Sequence, residues 1–179
     1  MYNDIKEILI SEERIEKRCK ELGKLIDQDY QDKCPLLVGF LKGCVPFLAE
    51  LIKHISIHLE YDFMDIDSYF GGTQSSGQIK IVKDLNVDIK GRDILIIEDI
   101  VDTGYTLHTV LPILKERGAA TIEIVTLLDK PDGRLVDDIN PKYVGFNVPK
   151  AFLVGFGLDY KQKYRNLPFV GILKEEVYK

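Results

Sequence analysis

The chain has 179 residues, 45% of them hydrophobic and 30% charged, so it fits one domain that buries about 70% of its extended surface without disulfides or a structural metal. Its 24 Lys and Arg against 29 Asp and Glu give a net charge of −5, which argues against a nucleic-acid partner or an anionic membrane surface. No apolar run approaches the roughly 20 residues that cross a bilayer, so we expect no membrane span.

Cysteine usage indicates a reducing compartment. The three cysteines, Cys19, Cys34 and Cys44, are odd in number and lack metal-ligand spacing, which is typical of free thiols in a cytosolic protein. The first residues, Met-Tyr-Asn-Asp, are polar and acidic and do not resemble a secretory signal peptide. We therefore expect a cytoplasmic location.

The chain begins with helical and extended patterns in alternation. Ser11 can cap a helix over residues 11–29, whose apolar residues recur every third or fourth position. Later patterns predict strands at 35–40, 57–70, 79–82, 94–97, 121–128, 143–146, 152–155 and 169–172, and helices at 45–54 and from 107 to about 117. The strands at 57–70 and 79–82 would form a hairpin.

The alternation of strands and helices up to residue 128 predicts an α/β fold with a mostly parallel, doubly wound sheet. We expect a single domain with a core over about residues 30–148. A small hood lobe would combine about residues 1–15 with 149–179. Residues 70–80 should form a flexible loop, because the glycine-serine tract within them has no apolar residue to anchor it.

Two carboxylates and a small polar loop follow the predicted central strand. Glu98 and Asp99 come where that strand is expected to end, and residues 102–106, Asp-Thr-Gly-Tyr-Thr, precede the next helix. Amides of a glycine turn at a helix start bind phosphate, and the hydroxyls of Thr103 and Thr106 add donors. Carboxylates repel phosphate but accept hydrogen bonds from sugar hydroxyls. The order predicts a phosphorylated sugar, with ribose over the acids and the 5-phosphate over the loop.

Other interpretations stay open on these residues alone. Acidic side chains often end strands and face water, and paired acids at strand ends also bind a metal in phosphate-accepting receiver domains. Asp102 can equally serve as the N-cap of the following helix. The chain contains no Gly-x-Gly-x-x-Gly and no Gly-x-x-x-x-Gly-Lys-Ser/Thr, so dinucleotide-binding and P-loop functions lose their main support.

Residues 96–106, Ile-Ile-Glu-Asp-Ile-Val-Asp-Thr-Gly-Tyr-Thr, resemble the phosphoribosyl-pyrophosphate signature of the type I phosphoribosyltransferase family, in the form of its hypoxanthine-guanine branch. Further matches to that branch follow in order: Leu-Lys-Gly at 41–43, Ser68-Tyr69 before the glycine-serine tract, Leu-Asp-Lys at 128–130, Val-Gly-Phe at 144–146, and residues 152–160 with Arg165 beyond them. The resemblance covers about residues 5–178. The length and the closing residues 165–169 resemble the bacterial members.

The resemblance assigns roles to the central stretch. Glu98 and Asp99 would hold the ribose hydroxyls and, directly or through water, Mg²⁺. The amides and hydroxyls of the loop would bind the 5-phosphate, through Asp102, Thr103, Gly104, Tyr105 and Thr106. Asp102 would also act as the general base that takes the proton from N7 of the purine. Tyr105 is a bulky aromatic where the family varies, and it is harmless if only its backbone matters.

The resemblance also assigns the pyrophosphate end of the site. Leu41, Lys42 and Gly43 would bind pyrophosphate through backbone amides, and family members hold a cis peptide between the first two. Arg165 would reach the pyrophosphate from the hood lobe, although an arginine taken alone often forms only a surface salt bridge. Ser68 and Tyr69 would contact substrate.

Residues 70–78 would then form a lid that excludes water from the reaction. Without the family, a disordered hairpin tip is the simpler interpretation of this segment.

Four residues would surround the purine. Lys130 would donate to the oxygen at position 6, which favours hypoxanthine or guanine, because adenine carries a donor there. Phe152 would stack on the base and the backbone of Leu153 would bond to its edge. Asp159 would help organise a second Mg²⁺ site and place a carbonyl near position 2. Taken alone, Lys130 would be a solvated lysine and Phe152 a core aromatic.

Together these features predict a purine-salvage enzyme that transfers the 5-phosphoribosyl group from phosphoribosyl pyrophosphate to hypoxanthine, and also to guanine, with Mg²⁺ as cofactor. Its partners would be these small molecules, with no nucleic acid and no membrane, and we expect a homodimer or homotetramer. The rival from another class is a regulatory nucleotide sensor of the same fold that binds RNA or a protein. A sensor needs neither Asp102 nor Lys130. A receiver domain is a third candidate, in which residues 41–43 have no counterpart.

Overall fold

The structure is a computed structural model that describes residues 1–68 and 79–179. Tyr69 and residues 70–78 of the predicted lid lie outside the described residues. The helices are α1 (Glu12–Asp29), α2 (Cys44–Ile52), α3 (Tyr105–Glu116) and α4 (Glu175–Tyr178). The strands are β1 (Ile5–Ile10), β2 (Leu36–Leu41), β3 (Glu60–Ser68), β4 (Ile79–Lys83), β5 (Asp93–Val101), β6 (Thr121–Asp129), β7 (Tyr143–Asn147), β8 (Leu153–Val154) and β9 (Val170–Leu173).

Six strands form the central sheet in the order β4-β3-β2-β5-β6-β7. Neighbouring strands are parallel, apart from β3 and β4, which form the predicted antiparallel hairpin. β5 lies in the interior of the sheet, where a strand covered on both faces needs apolar side chains at successive positions, and residues 94–97 are fully buried. The predicted α/β class with a mostly parallel, doubly wound sheet is confirmed.

The two faces of the sheet pack against different helices. Leu95 and Ile97 of β5 belong to a hydrophobic cluster that includes residues of α1 and α2. Ile94 and Ile96 belong to a second cluster that includes residues of α3. Because successive side chains of a strand point to opposite faces, one apolar run supplies both cores.

Helix α1 begins where the sequence predicts. The Ser11 side chain accepts a hydrogen bond from the backbone N–H of Arg14 (3.4 Å), and Glu12 and Glu13 suit the positive end of the helix dipole. The buried stripe of the helix consists of Ile15, Cys19, Leu22, Gly23 and Ile26. The helix therefore covers the sheet with the apolar face that its spacing predicts.

A second sheet, which we call the terminal sheet, has three antiparallel strands in the order β1-β9-β8 and joins the two ends of the chain. β1 is absent from the prediction because only Ile10 in it is buried and its partner β9 lies at the far end of the chain. The division into core and hood lobe remains a prediction. Helix α1 runs unbroken from Glu12 to Asp29, so residues 12–15 belong to a helix that packs on the central sheet.

Neither described stretch contains a helix that is long and apolar enough to cross a membrane.

Candidate active site

Glu98 and Asp99 lie inside β5, so the prediction that the strand ends there was wrong. β5 continues to Val101 because β6 pairs with it over its whole length. On its other side, β2 pairs with β5 only as far as Gly39 opposite Ile97. The acids therefore stand where the two central strands separate. Such a crevice at the carboxyl ends of parallel strands is the usual ligand site of this fold class.

The two acids are poorly hydrated. Glu98 is 8% exposed, and burial, together with the charge of Asp99, raises its pKa well above the usual value. Burial also raises the pKa of Asp99 to about 6, although hydrogen bonds from the backbone N–H groups of Ile100 and Asp99 and the charge of Arg165 act in the opposite direction. A bound cation, or hydroxyl donors of a ligand, would offset the free energy that these neighbouring carboxylates lose by desolvation.

A cavity of about 120 Å³ brings Glu98 and the polar loop together. It is lined by Glu98, Ile100, Val101, Asp102, Thr103, Gly104, Thr106 and Leu107. Gly104 is the N-cap of α3 with φ of +82°, a conformation that favours glycine, and it has no side chain with which to cap the helix. The first N–H groups of a helix have no intrahelical acceptor. In α3 the hydroxyl of Thr103 accepts from the N–H of Tyr105, and the N–H groups that follow it are available to an anion.

Asp102 is therefore not the N-cap of α3, and its carboxylate has another partner. Its Oδ2 accepts a hydrogen bond from Nζ of Lys130 at 3.0 Å. The backbone N–H of Lys130 donates to the carbonyl of Val101 (3.0 Å), which fastens the end of β6 to the end of β5. The Lys130 side chain is only 13% exposed, so it is not a solvated lysine. Two residues predicted for different roles are in direct contact.

Arg134 is a residue of the site that sequence reasoning missed. It forms an ion pair with Asp129, and both side chains are largely buried. Its Cδ lies against the bare side of Gly104, and the N–H of Leu135 donates to the carbonyl of Thr103 (3.0 Å). The segment after β6 thus packs against the polar loop at residues 102–106 and supports it. The only signal was an arginine after a turn, which is most often solvated.

The turn after β2 faces the second acid. The peptide bond between Leu41 and Lys42 is cis, as the resemblance implies. Gly43 lies so close to Asp99 that a Cβ on it would overlap the carboxylate. The side chain of Lys42 is exposed. The predicted pyrophosphate turn and the paired acids are therefore brought together.

Arg165 approaches this turn from the loop between β8 and β9. Its Nη1 donates to the carbonyl of Gly157 (2.7 Å), and Gly157, with φ of +102°, packs against the carbonyl of Gly43 with no room for a Cβ. Its Nη2 pairs with Oδ1 of Asp159 (2.7 Å). Its Nε is buried and has no hydrogen-bond partner among the described residues. Buried donors without partners are rare, and an anionic ligand group would satisfy this one.

Phe152 and Leu153 lie where the chain passes from the central sheet to the terminal one. The N–H of Val148 donates to the carbonyl of Asp129 (2.9 Å), so this connection starts beside the end of β6. Leu153 is buried and pairs with Ile172 of β9. Phe152 is 37% exposed, and it is therefore not the core aromatic of the alternative interpretation.

Two further predicted contact residues, Ser68 and Tyr105, are described mainly through their backbones. Ser68 ends β3, and its backbone pairs with Ile79 of β4. The Tyr105 side chain is exposed and is not among the residues that line the cavity. Its backbone N–H donates to the hydroxyl of Thr103 (3.4 Å). Only the backbone of Tyr105 thus belongs to the loop, which makes its bulk harmless to the cavity.

The predicted metal ligands, Glu98, Asp99 and Asp159, do not form a closed site. Both oxygens of Asp159 are engaged, one by Arg165 and the other by the N–H of Gln162 (2.8 Å). Within residues 1–68 and 79–179, no group of three or more His, Cys, Asp and Glu side chains is arranged to hold a metal ion. Mg²⁺ commonly binds one or two carboxylates and completes its shell with water and substrate oxygens. The paired acids fit such a shared site.

Comparison with known proteins agrees with this geometry. Residues 5–161 match the family model described as phosphoribosyl transferase domain. The chain is 58% identical to the hypoxanthine-guanine phosphoribosyltransferase of Lactococcus lactis, covering 97% of this chain and 94% of that protein. It is 56% identical to the Bacillus subtilis protein of the same name, over 99% and 98%. The crystal structure of a hypoxanthine phosphoribosyltransferase from Staphylococcus aureus superposes with a TM-score of 0.96 at 52% identity, covering 100% of this chain and 97% of that one. The chain belongs to the phosphoribosyltransferase family.

Proposed function

We propose that this protein transfers the 5-phosphoribosyl group from phosphoribosyl pyrophosphate to hypoxanthine, and also to guanine, giving IMP or GMP and pyrophosphate. One observation carries the proposal. In a single cavity, the buried Glu98 lies near the start of α3, and Asp102, which also lines the cavity, is paired with Lys130. The similar proteins of Lactococcus lactis and Bacillus subtilis are named for the same activity.

The sugar and its 5-phosphate occupy this cavity. The phosphate accepts hydrogen bonds from the first N–H groups of α3 and from the hydroxyls of Thr103 and Thr106. The ribose hydroxyls donate to Glu98 and Asp99. These hydrogen bonds stabilise the ionised form of each carboxyl group, which burial alone destabilises. With both ends held, C1 of the sugar is oriented for the reaction.

The pyrophosphate group binds the turn at residues 41–43 and Arg165. The buried Nε of Arg165 has no hydrogen-bond partner within residues 1–68 and 79–179. It donates to a phosphate oxygen, and the guanidinium stabilises the negative charge that develops there. The bond from C1 to pyrophosphate breaks first, and its electron pair leaves with pyrophosphate. The cation-like sugar that remains lies beside Glu98 and Asp99, whose negative charges stabilise it.

Gly43→Ala tests this arrangement. The new Cβ would displace the Asp99 carboxylate, so we expect kcat/KM for phosphoribosyl pyrophosphate to fall roughly 10- to 100-fold. Steady-state kinetics with varied phosphoribosyl pyrophosphate measures the effect, and thermal unfolding monitors the fold.

Gly91→Ala is the matched control for that variant. Gly91 has φ of +72° and open space around it, so an alanine there strains the backbone without touching the site. It should lower the melting temperature slightly and leave kcat/KM unchanged. If kcat/KM falls equally in the two variants, Gly43 has no specific role in the pyrophosphate site.

Asp102 takes the proton that the purine loses on glycosylation. N9 of the base forms the new bond to C1, and the proton on N7 passes to the Asp102 carboxylate. Lys130 carries three donor hydrogens, so it can keep its 3.0 Å contact with Asp102 while donating to the oxygen at position 6. One lysine would thus orient both the base and the carboxylate that deprotonates it.

The remaining base contacts come from the connection to the terminal sheet. Phe152 presents an exposed ring on which the purine stacks. The backbone of Leu153 bonds to the edge of the base, and a carbonyl at Asp159 lies near position 2. Adenine places an amino group opposite the Lys130 ammonium, where two donors meet, and the site therefore rejects it.

Mg²⁺ is the proposed cofactor, and when bound it supplies a Lewis acid and a template for the pyrophosphate. Glu98 and Asp99 would hold it together with substrate oxygens and water. Asp159, whose oxygens are already engaged, orients Arg165 in this scheme.

A steady-state assay of the purified protein with each purine, phosphoribosyl pyrophosphate and Mg²⁺ tests the function. We expect turnover of hypoxanthine and guanine, with kcat/KM for adenine lower by on the order of 10²–10⁴. Binding of phosphoribosyl pyrophosphate without turnover of any purine would contradict the proposal and favour the sensor.

We also propose a cytoplasmic homodimer or homotetramer. Cys19 and Cys44 are buried free thiols, which suits a reducing compartment. Large apolar side chains such as Val45, Tyr61 and Val82 are exposed, and a second copy of the chain would cover them. Light scattering of the purified protein measures the oligomeric state.

A further inference from the structure

The ring of Phe152 belongs to an aromatic cluster, which we define as Phe152, Tyr160 and Tyr178. Phe152 and Tyr178 are stacked, with ring centroids 4.7 Å apart and an angle of 21° between the ring planes. Tyr160 and Phe152 form a T-shaped pair, with centroids 5.5 Å apart and ring planes at 89°. Both geometries are favourable for aromatic pairs. Tyr178 is the last residue of α4 and the penultimate residue of the chain.

Tyr178 covers one of the two flat faces of the Phe152 ring. Phe152 is nevertheless 37% exposed. A flat ligand that stacks on Phe152 therefore has to use the face that Tyr178 does not cover.

Tyr178 is held from behind by the terminal sheet. It packs, with Tyr160, against a hydrophobic cluster that contains Val154, Leu167 and Leu173. The turn between β9 and α4 is fixed because the N–H of Lys174 donates to the carbonyl of Asp4 (2.9 Å). These contacts hold the Tyr178 ring in a fixed position against Phe152.

We propose that Tyr178 is a positioning residue for the purine. It packs against one face of the Phe152 ring, so that the other face of that ring meets the base. The inference rests on the proposed function, because it takes Phe152 as the stacking partner of the purine. Without the Tyr178 ring, the Phe152 side chain is free to rotate. Binding of the purine must then order Phe152, and this entropy cost weakens the binding. Tyr178 touches neither substrate in this scheme. Its effect should therefore be confined to the base.

Kinetics of Tyr178 variants test the proposal. We expect Tyr178→Ala and Tyr178→Leu to raise the KM for hypoxanthine about 3- to 10-fold, the range of a single aromatic pair. The KM for phosphoribosyl pyrophosphate and kcat should stay unchanged. Tyr178→Phe keeps the ring and should restore the wild-type KM. Tyr178→Leu retains apolar volume, so it reports on stacking if the alanine variant folds poorly.

Tyr2→Ala is the matched control. Tyr2 pairs with Phe169 in the same part of the molecule, with centroids 5.9 Å apart, but is not in the aromatic cluster. Its loss should leave the KM for hypoxanthine unchanged. If Tyr2→Ala raises the KM for hypoxanthine as much as the Tyr178 variants do, Tyr178 only stabilises the fold. The same conclusion follows if Tyr178→Leu raises the KM values for both hypoxanthine and phosphoribosyl pyrophosphate. A lower KM for hypoxanthine would show instead that Tyr178 competes with the base, and would overturn the proposal.

The two proposals can fail separately. If the wild-type protein turns over no purine, the proposed function fails. If the wild-type protein is active and the KM for hypoxanthine is unchanged in Tyr178→Leu, only the positioning role fails.

Discussion

Asp102→Asn is expected to lower kcat by on the order of 10²–10⁴, because an amide cannot take the proton that the purine loses. The substitution keeps the side-chain volume, and Gly104, not Asp102, is the N-cap of α3. The loop at residues 102–106 should therefore stay intact, and binding of phosphoribosyl pyrophosphate should be mostly retained. Steady-state kinetics gives kcat, and calorimetry gives the Kd of phosphoribosyl pyrophosphate.

Asp138→Asn provides the control for this variant. The Asp138 carboxylate pairs with His108 of α3 (2.8 Å), but it is not among the residues that line the cavity. The substitution therefore removes a carboxylate that contacts the same helix without removing the base. Its kcat should be unchanged. Near-normal turnover of Asp102→Asn would exclude Asp102 as the general base.

Lys130→Ala is expected to reduce the preference for hypoxanthine over adenine, measured as the ratio of their kcat/KM values, by on the order of 10²–10⁴. The lost ammonium is the donor that matches the oxygen at position 6 and opposes the amino group of adenine. The variant also removes the partner of Asp102, and that loss should lower the rate with either purine. The ratio of the two kcat/KM values therefore isolates the contribution of the base edge.

Lys142→Ala is the corresponding control. Lys142 pairs with Asp29 (2.9 Å) immediately before β7, at the end of the sheet away from the site. Removing it should change neither kcat/KM value. Equal losses for hypoxanthine and adenine in Lys130→Ala would contradict the role of Lys130 in selecting the base.

Local patterns were sufficient for the fold class and for the elements that build it. The apolar run at residues 94–97 is buried on both faces, and the apolar spacing of α1 becomes its buried stripe. Both are short-range signals, because a strand or helix shows its burial through its own periodicity. The missed β1 has one buried residue and thus no clear pattern. The boundaries differ by a few positions where a neighbouring strand extends an element, as β6 does for β5.

The central half of the site was also open to sequence reasoning. Glu98 and the loop at residues 102–106 are close in the chain, so a strand followed by a helix brings them to one cavity with little further information. The family resemblance, now confirmed by the family match, added Lys130, Phe152 and Arg165. Their roles in the reaction remain predictions that the variants above test.

The sequence by itself thus determined the α/β class, the family and the residue types of the site. Only the tertiary structure decided which of these residues touch. Asp102 meets Lys130, Gly43 meets Asp99, and Phe152 meets Tyr178. Each contact joins segments that are distant in the chain, and it depends on strand order, register and the packing of the terminal sheet. Periodicity carries no information about these properties, because it reports only which face of one element is buried.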